Sequence, residues 1–255
     1  MKFWQTLAAA ALSAAHLVSA AAGSNEPFHW KRLDKNNSIL LIVDLQVGLY
    51  SLARDWDATQ YREQMLAHGA LGKLFDLPVV MTTSAETGPN GPLLQEFVDW
   101  YPDAPIIRRQ GEVNAWDNEE FRDTIRSYNK SQIIMAGIVT DVCTAFLAFS
   151  LREEGYSVWA NLEGSATTTP LIRDAANSAM ARAGVNVVSL FSILCDLMRD
   201  WRNIPGAAEV LPFIDRYFPA YGLVARAHGA AVENGTLIPG EADILGPQSG
   251  GILEG

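Results

Sequence analysis

The sequence predicts an α/β protein, a three-layer α/β/α sandwich around a parallel sheet. Three observations carry that prediction. Six short runs are rich in apolar and β-branched residues, segments of helical character alternate with them, and the connections between are short. Such alternation yields right-handed βαβ units and a sheet covered on both faces. A chain of 255 residues, 49% hydrophobic and 19% charged, supports one full core but not two large domains.

The first run, "SILLIVD" at 38–44, is continuously apolar and closed by a carboxylate, the pattern of a strand buried on both sides. "LPVVMTT" (77–83), "APII" (104–107), "SQIIMAG" (131–137), "YSVWAN" (156–161) and "VNVVS" (185–189) read the same way. Helices are predicted over 59–75, 93–100, 118–128, 141–154, 170–183 and 190–201. Beyond Trp201 the pattern loosens. "AAEVLPFIDRYFP" predicts one further helix, and the Gly, Pro and acidic residues that follow predict an irregular tail from about residue 220 to 255. The Leu, Ile and Val scattered through that tail suit packing against a neighbouring subunit.

At the front, "MKFWQTLAAAALSAAHLVSAAAG" offers Lys2, an apolar stretch and then small residues. This is the three-part pattern of a secretory signal peptide over 1–20, cleaved around Val18-Ser19-Ala20, and the stretch is short for a membrane span. The expected plan is therefore a leader (1–20), a catalytic-type domain (33–203) and a C-terminal extension (204–255), with the mature protein extracellular or periplasmic. Sequons at Asn36, Asn129 and Asn234 suit an exported eukaryotic chain but also arise by chance.

A net charge of -10 repels polyanions, which argues against nucleic acid or an anionic membrane as partner and leaves a small-molecule substrate as the expectation. With two cysteines, Cys143 and Cys195, a disulfide stays open as a reading. Cys195 lies at helical spacing with Phe191, Leu194 and Met198, which favours a buried, inert thiol.

In an open parallel sheet, ligands sit outside the carboxyl ends of the strands. Those ends offer Asp44, then Thr82 to Glu86, then Arg108 and Arg109, and finally "GIVTDVC" with Cys143. If Thr140 caps a helix there, Cys143 lies in its first turn, where unpaired N–H groups and the helix dipole are expected to lower the thiol pKa and to hold an oxyanion. His16, His29, His68 and His228 all lie away from strand ends, so Asp44 is the better proton acceptor, with an arginine to keep it ionised. Glu86 reads equally as a salt-bridge partner or a substrate contact. There is no G-x-G-x-x-G after a strand, no phosphate-binding P-loop and no cluster with metal-ligand spacing, so neither cofactor nor metal is expected.

"LLIVDLQVGL", "RRQGEVNAWDN" and "AGIVTDVCTAFLAF" together resemble the isochorismatase-like cysteine hydrolases, and "TTSAETGPNGPL", "NAWDN" and "RDWRN" resemble its YcaC-type branch. The resemblance covers roughly residues 33–203. It implies a six-stranded parallel sheet in a Rossmann-like order and a triad of Asp44 as general base, Arg109 (or the adjacent Arg108) as cation and Cys143 as nucleophile. It also implies a non-proline cis peptide at Val139-Thr140 that forms an oxyanion elbow with Cys143. Gln46, Glu86, Asn114 and Trp116 are the substrate-binding candidates within these motifs, and rings formed by this branch imply a homo-oligomer. Nicotinamidase relatives bind a metal through Asp and His, which this chain does not match. The resulting expectation is a metal-independent hydrolase of a small amide or related C–N substrate, working through a thioester. Its rivals are a non-catalytic oligomeric scaffold, an isochorismate-type vinyl-ether hydrolase, and a disulfide or redox protein.

Overall fold

The computed structural model describes residues 30–236. The predicted leader (1–20) and the last part of the tail (237–255) lie outside the described residues. Strands β1 (Ser38–Val43), β2 (Val79–Ser84), β3 (Ile106–Arg109), β4 (Gln132–Gly137), β5 (Ser157–Asn161) and β6 (Asn186–Val188) form one sheet in the order β3-β2-β1-β4-β5-β6. Every neighbouring pair is parallel. This is the doubly wound order that the resemblance implies, and its direction reverses between β1 and β4.

Strand alternation splits the core in two. Leu40 and Ile42 of β1, Met81 of β2 and Ile134 of β4 face helices α1 (Ala58–Phe75), α2 (Gln95–Trp100), α6 (Leu190–Met198) and α7 (Ala207–Tyr217). Ile39, Leu41 and Val43, with Val80, Ile133 and Met135, face α3 (Glu119–Ser127), α4 (Ala145–Glu153) and α5 (Pro170–Arg182). All six β1 residues are buried, because both faces are covered. Local signals set the helix ends. Asp57 caps α1 by accepting the Gln60 N–H at 3.0 Å, Asn118 caps α3 through Phe121 N–H at 3.0 Å, and Pro170 opens α5.

Two expectations need correction. The 220–255 tail is not irregular throughout: Pro219–Glu233 forms helix α8, since Ala-rich sequence carries helix propensity that its glycines only weaken. The predicted 190–201 helix stops at Met198, where Arg199 turns left-handed (φ 71°) and its guanidinium bonds Asp196 at 2.7 Å and the Leu33 carbonyl. The two cysteines are free, in keeping with the unpaired thiol favoured for Cys195 and against the alternative of a disulfide. Among the described residues, no helix is long and apolar enough to cross a membrane.

Helix α1 also brings His68 into the core, fully buried. Its Nε2–H donates to the Leu41 carbonyl at 3.0 Å, and its Nδ1 faces the Asn161 amide at 3.3 Å. Asn161 Oδ1 already accepts the Glu163 N–H, so Nδ1 accepts from Asn161 and the ring is neutral. Burial lowers this imidazole from its ordinary 6.5 to about 4. The unfolded chain then binds the extra proton between those values, so stability is present above pH 6.5 and falls as pH drops toward 4. Urea unfolding at about pH 7 and about pH 4.5 should show wild type losing about 2 to 3 kcal/mol more than His68→Gln. Equal losses would show that the ring does not titrate as described.

Candidate active site

Asp44 follows the last residue of β1 in a left-handed conformation (φ 54°), rare for a residue with a side chain and worth about 1 to 3 kcal/mol of strain. Its N–H donates to Thr82 O at 3.0 Å and its carbonyl accepts Gln46 N–H at 2.7 Å, so both neighbours hold the turn. The carboxylate is completely buried.

Arg109 ends β3, two strands away, and reaches back across β2. Its Nε–H donates to Thr82 Oγ1 at 2.9 Å, Nη1 to the carbonyls of Glu112 and Val113, and Nη2 to both Asp44 oxygens, 2.5 Å to Oδ1. Thr82 in turn donates its hydroxyl to Ile107 O at 3.0 Å. Every edge of the guanidinium is thus occupied, which is what allows so polar a group to be buried. Strand alternation decides between the two arginines: Arg109 points inward, whereas Arg108 is 57% exposed and pairs with Glu86 at 3.2 Å.

Cys143 comes from the other side of the switch point. β4 ends at Gly137, where a Cβ would meet Val43 O at 2.6 Å. The chain then crosses to residue 166: Ile138 bridges Ala166, and Thr140 N–H donates to Ala166 O at 2.9 Å. The cis peptide lies between Ile138 and Val139, one residue earlier than expected, because Thr140 already belongs to the turn that follows and is anchored there. That turn, Thr140–Thr144, is a wide π turn rather than the first turn of an α-helix, and Thr144 N–H closes it on Val139 O at 3.2 Å. Thr140 is not a cap: its Oγ1 is buried without a partner, as is that of Thr144.

The Cys143 thiol and the Asp44 carboxyl lie close enough to act on one another electrostatically, and the Val139 amide acts on the sulfur. The expected lowering of the thiol pKa is reversed. Burial first, then the negative charge and hydrogen bond of Asp44, push it to about 12, against which Arg109 and the Val139 amide act only partly. Burial likewise raises the Asp44 pKa, opposed by the Arg109 charge and by hydrogen bonds from Arg109 and Cys143. Burial thus holds both the thiol and the carboxyl above their ordinary values.

The other candidate residues serve the scaffold. The Gln46 amide accepts Ser84 N–H at 2.8 Å and donates to the carbonyls of Ser84 and Gly91, so it is spent on backbone. Glu86 accepts from Thr83 Oγ1 at 2.9 Å and pairs with Arg108. Asn114 caps Trp116 N–H at 3.1 Å and donates to Ser150 Oγ at 2.9 Å. Trp116 is buried, edge-on to Phe121 and Tyr156. Thr82 stood at a strand end in the sequence without an assigned role, and as the register partner of Val43 on β1 it is the residue beneath the pair. Among the described residues, no group of three or more His, Cys, Asp or Glu is placed to hold a metal ion.

Arg109→Met should cost about 3 to 5 kcal/mol in urea unfolding, because it leaves a buried carboxylate unpaired. The double variant Arg109→Met with Asp44→Leu should recover most of that loss. A single-variant loss under about 1 kcal/mol would contradict a desolvated pair and match an exposed one.

Residues 38–191 match the model of the isochorismatase domain. The probable hydrolase YcaC of Escherichia coli is 46% identical over 180 residues, 70% of this chain and 86% of that protein. A structure of YcaC from Pseudomonas aeruginosa with hexane-2,5-diol and covalent acrylamide superposes with a TM-score of 0.77 at 42% identity, covering 80% of this chain and 100% of the other. The E. coli YcaC structure, an octameric hydrolase of unknown specificity, gives 0.77 at 41% identity, covering 80% and 99%. The secreted isochorismatase effector Isc1 of Phytophthora sojae is 22% identical over 174 residues, 68% of this chain and 82% of that protein.

Proposed function

The chain belongs to the isochorismatase family of hydrolases, and we propose that within it this protein is a metal-independent cysteine hydrolase of a small amide or related C–N substrate. One observation carries the proposal: the Cys143 thiol lies against the Asp44 carboxyl, which is completely buried and paired with Arg109. A neutral thiol is a poor nucleophile by itself. Here its proton is already aimed at a base whose basicity burial has raised, so attack and deprotonation coincide.

The steps balance without a cofactor. Sulfur bonds to the substrate carbonyl carbon as the thiol proton passes to Asp44, and Asp44 then protonates the departing nitrogen as the C–N bond breaks. A water next gives its proton to Asp44 and attacks the thioester; the acid leaves and Cys143 regains a proton. Thr140, Val142 and Thr144 N–H groups are committed to the carbonyls of Ala166 and Val139. The remaining amides of the turn, those of Asp141 and Cys143, are the ones we assign to the developing oxyanion. The acrylamide held covalently in the P. aeruginosa relative is an electrophile that captures nucleophiles by addition to its vinyl carbon, which supports a reactive nucleophile in that protein. The octameric E. coli relative supports a homo-oligomer, and the leader-like residues 1–20 support export.

A panel of small amides should be turned over by wild type, with Cys143→Ala and Asp44→Asn each slower by about a thousandfold or more while remaining folded. Mass spectrometry under turnover should detect an acyl group on Cys143. Full activity in Cys143→Ala would end the proposal.

A further inference from the structure

We propose that Asn129 is an N-glycan acceptor, on the pole of the sheet opposite the crevice. The inference rests on the export reading above, since only a chain entering the secretory pathway meets the glycosylating machinery.

Three sequons occur, Asn36-Asn37-Ser38, Asn129-Lys130-Ser131 and Asn234-Gly235-Thr236, and the fold separates them. Asn129 and Ser131 are both exposed, on the turn between α3 and β4, and Asn129 takes the left-handed conformation (φ 49°) that sets it outside the helix it follows. Among the described residues its side-chain amide makes no hydrogen bond. The amides of Asn37, Asn90, Asn114, Asn118, Asn161, Asn186 and Asn203 are all tied into the structure. The Asn234 amide donates to Ala230 O at 2.8 Å, and the sequon of Asn36 runs into Ser38, which is completely buried at the start of β1. Asn129 alone has both its amide free and its sequon hydroxyl at the surface.

The location spares function. β4 begins at Gln132 and runs to Gly137, and the crevice lies beyond that far end. At about 3.3 Å per residue, six residues of strand set the acceptor about 20 Å from the chemistry. A bound glycan would also keep this pole out of any contact between subunits.

Ser131 is engaged once the chain has folded: its Oγ accepts from Asn37 Nδ2 at 2.7 Å and its N–H donates to Asn37 Oδ1 at 2.9 Å. Transfer therefore precedes the pairing of β1 with β4. In that transfer Asn129 Nδ2 loses a proton and bonds to the anomeric carbon of a lipid-diphosphate-linked oligosaccharide, whose bond to the diphosphate oxygen breaks. The lipid diphosphate leaves, and nothing is oxidised.

The full chain with its own leader should be produced in a yeast secretory host, and protein from the medium treated with peptide N-glycosidase in heavy-oxygen water. Asn129 should be recovered as aspartate carrying the heavy label, and Asn129→Gln and Ser131→Ala should each remove one glycan while the protein stays folded. Exported protein with Asn129 unmodified overturns the inference. If the chain's own leader fails to export, a host leader is substituted. A glycan at Asn129 then upholds the acceptor and refutes export by residues 1–20, and its absence overturns both.

Discussion

The buried ion pair between Asp44 and Arg109 is the constraint around which the rest of the site is arranged. Taking two charges out of water costs several kcal/mol each, and the cost is met only when every remaining donor and acceptor finds a partner. Here the partners come from several parts of the fold: Thr82 on β2, the carbonyls of the 112–113 loop, and the Cys143 thiol beyond β4. The pair thus ties the ends of four strands together. It also explains why Asp44 holds a left-handed conformation that its type tolerates but does not favour.

Strand order turns this constraint into chemistry. With β1 and β4 adjacent at the reversal point, the residue after β1 and the turn after β4 meet in one crevice, while helices cover both faces. The same enclosure that makes the ion pair necessary keeps the thiol protonated. A thiol so held fits the proposed chemistry, in which the base acts during attack and no standing thiolate is offered to oxidants or electrophiles.

Much of this was legible in the residues. Continuous apolar runs located all six strands because a sheet covered on both faces has no polar side to encode. The carboxylate, arginine and cysteine were visible because each stands just where such a run stops. What escaped depends on neighbours distant in the chain. A cysteine at a helix mouth reads as activated, since the dipole is local and visible; the opposing burial and the Asp44 charge come from packing. Gln46, Asn114 and Trp116 lie in site motifs, yet their polar atoms or rings are consumed by backbone and core contacts that no motif displays. Glu86 found its partner in Arg108 only because β3, at the sheet edge, alternates between buried and exposed positions. His68 carried no motif, and Thr82 lay in one that assigned it no role; the place of each is one of burial and register.

The most direct measurement is an ultraviolet difference titration of the thiolate band, wild type minus Cys143→Ser, from about pH 5 to about pH 10. With the thiol held near 12, the account predicts no Cys143 thiolate at neutral pH and only a trace at the alkaline end. A thiolate that forms with a midpoint at or below the free-cysteine value of about 8.5 would contradict it, because the sulfur would then be ionised before Asp44 had any proton to take.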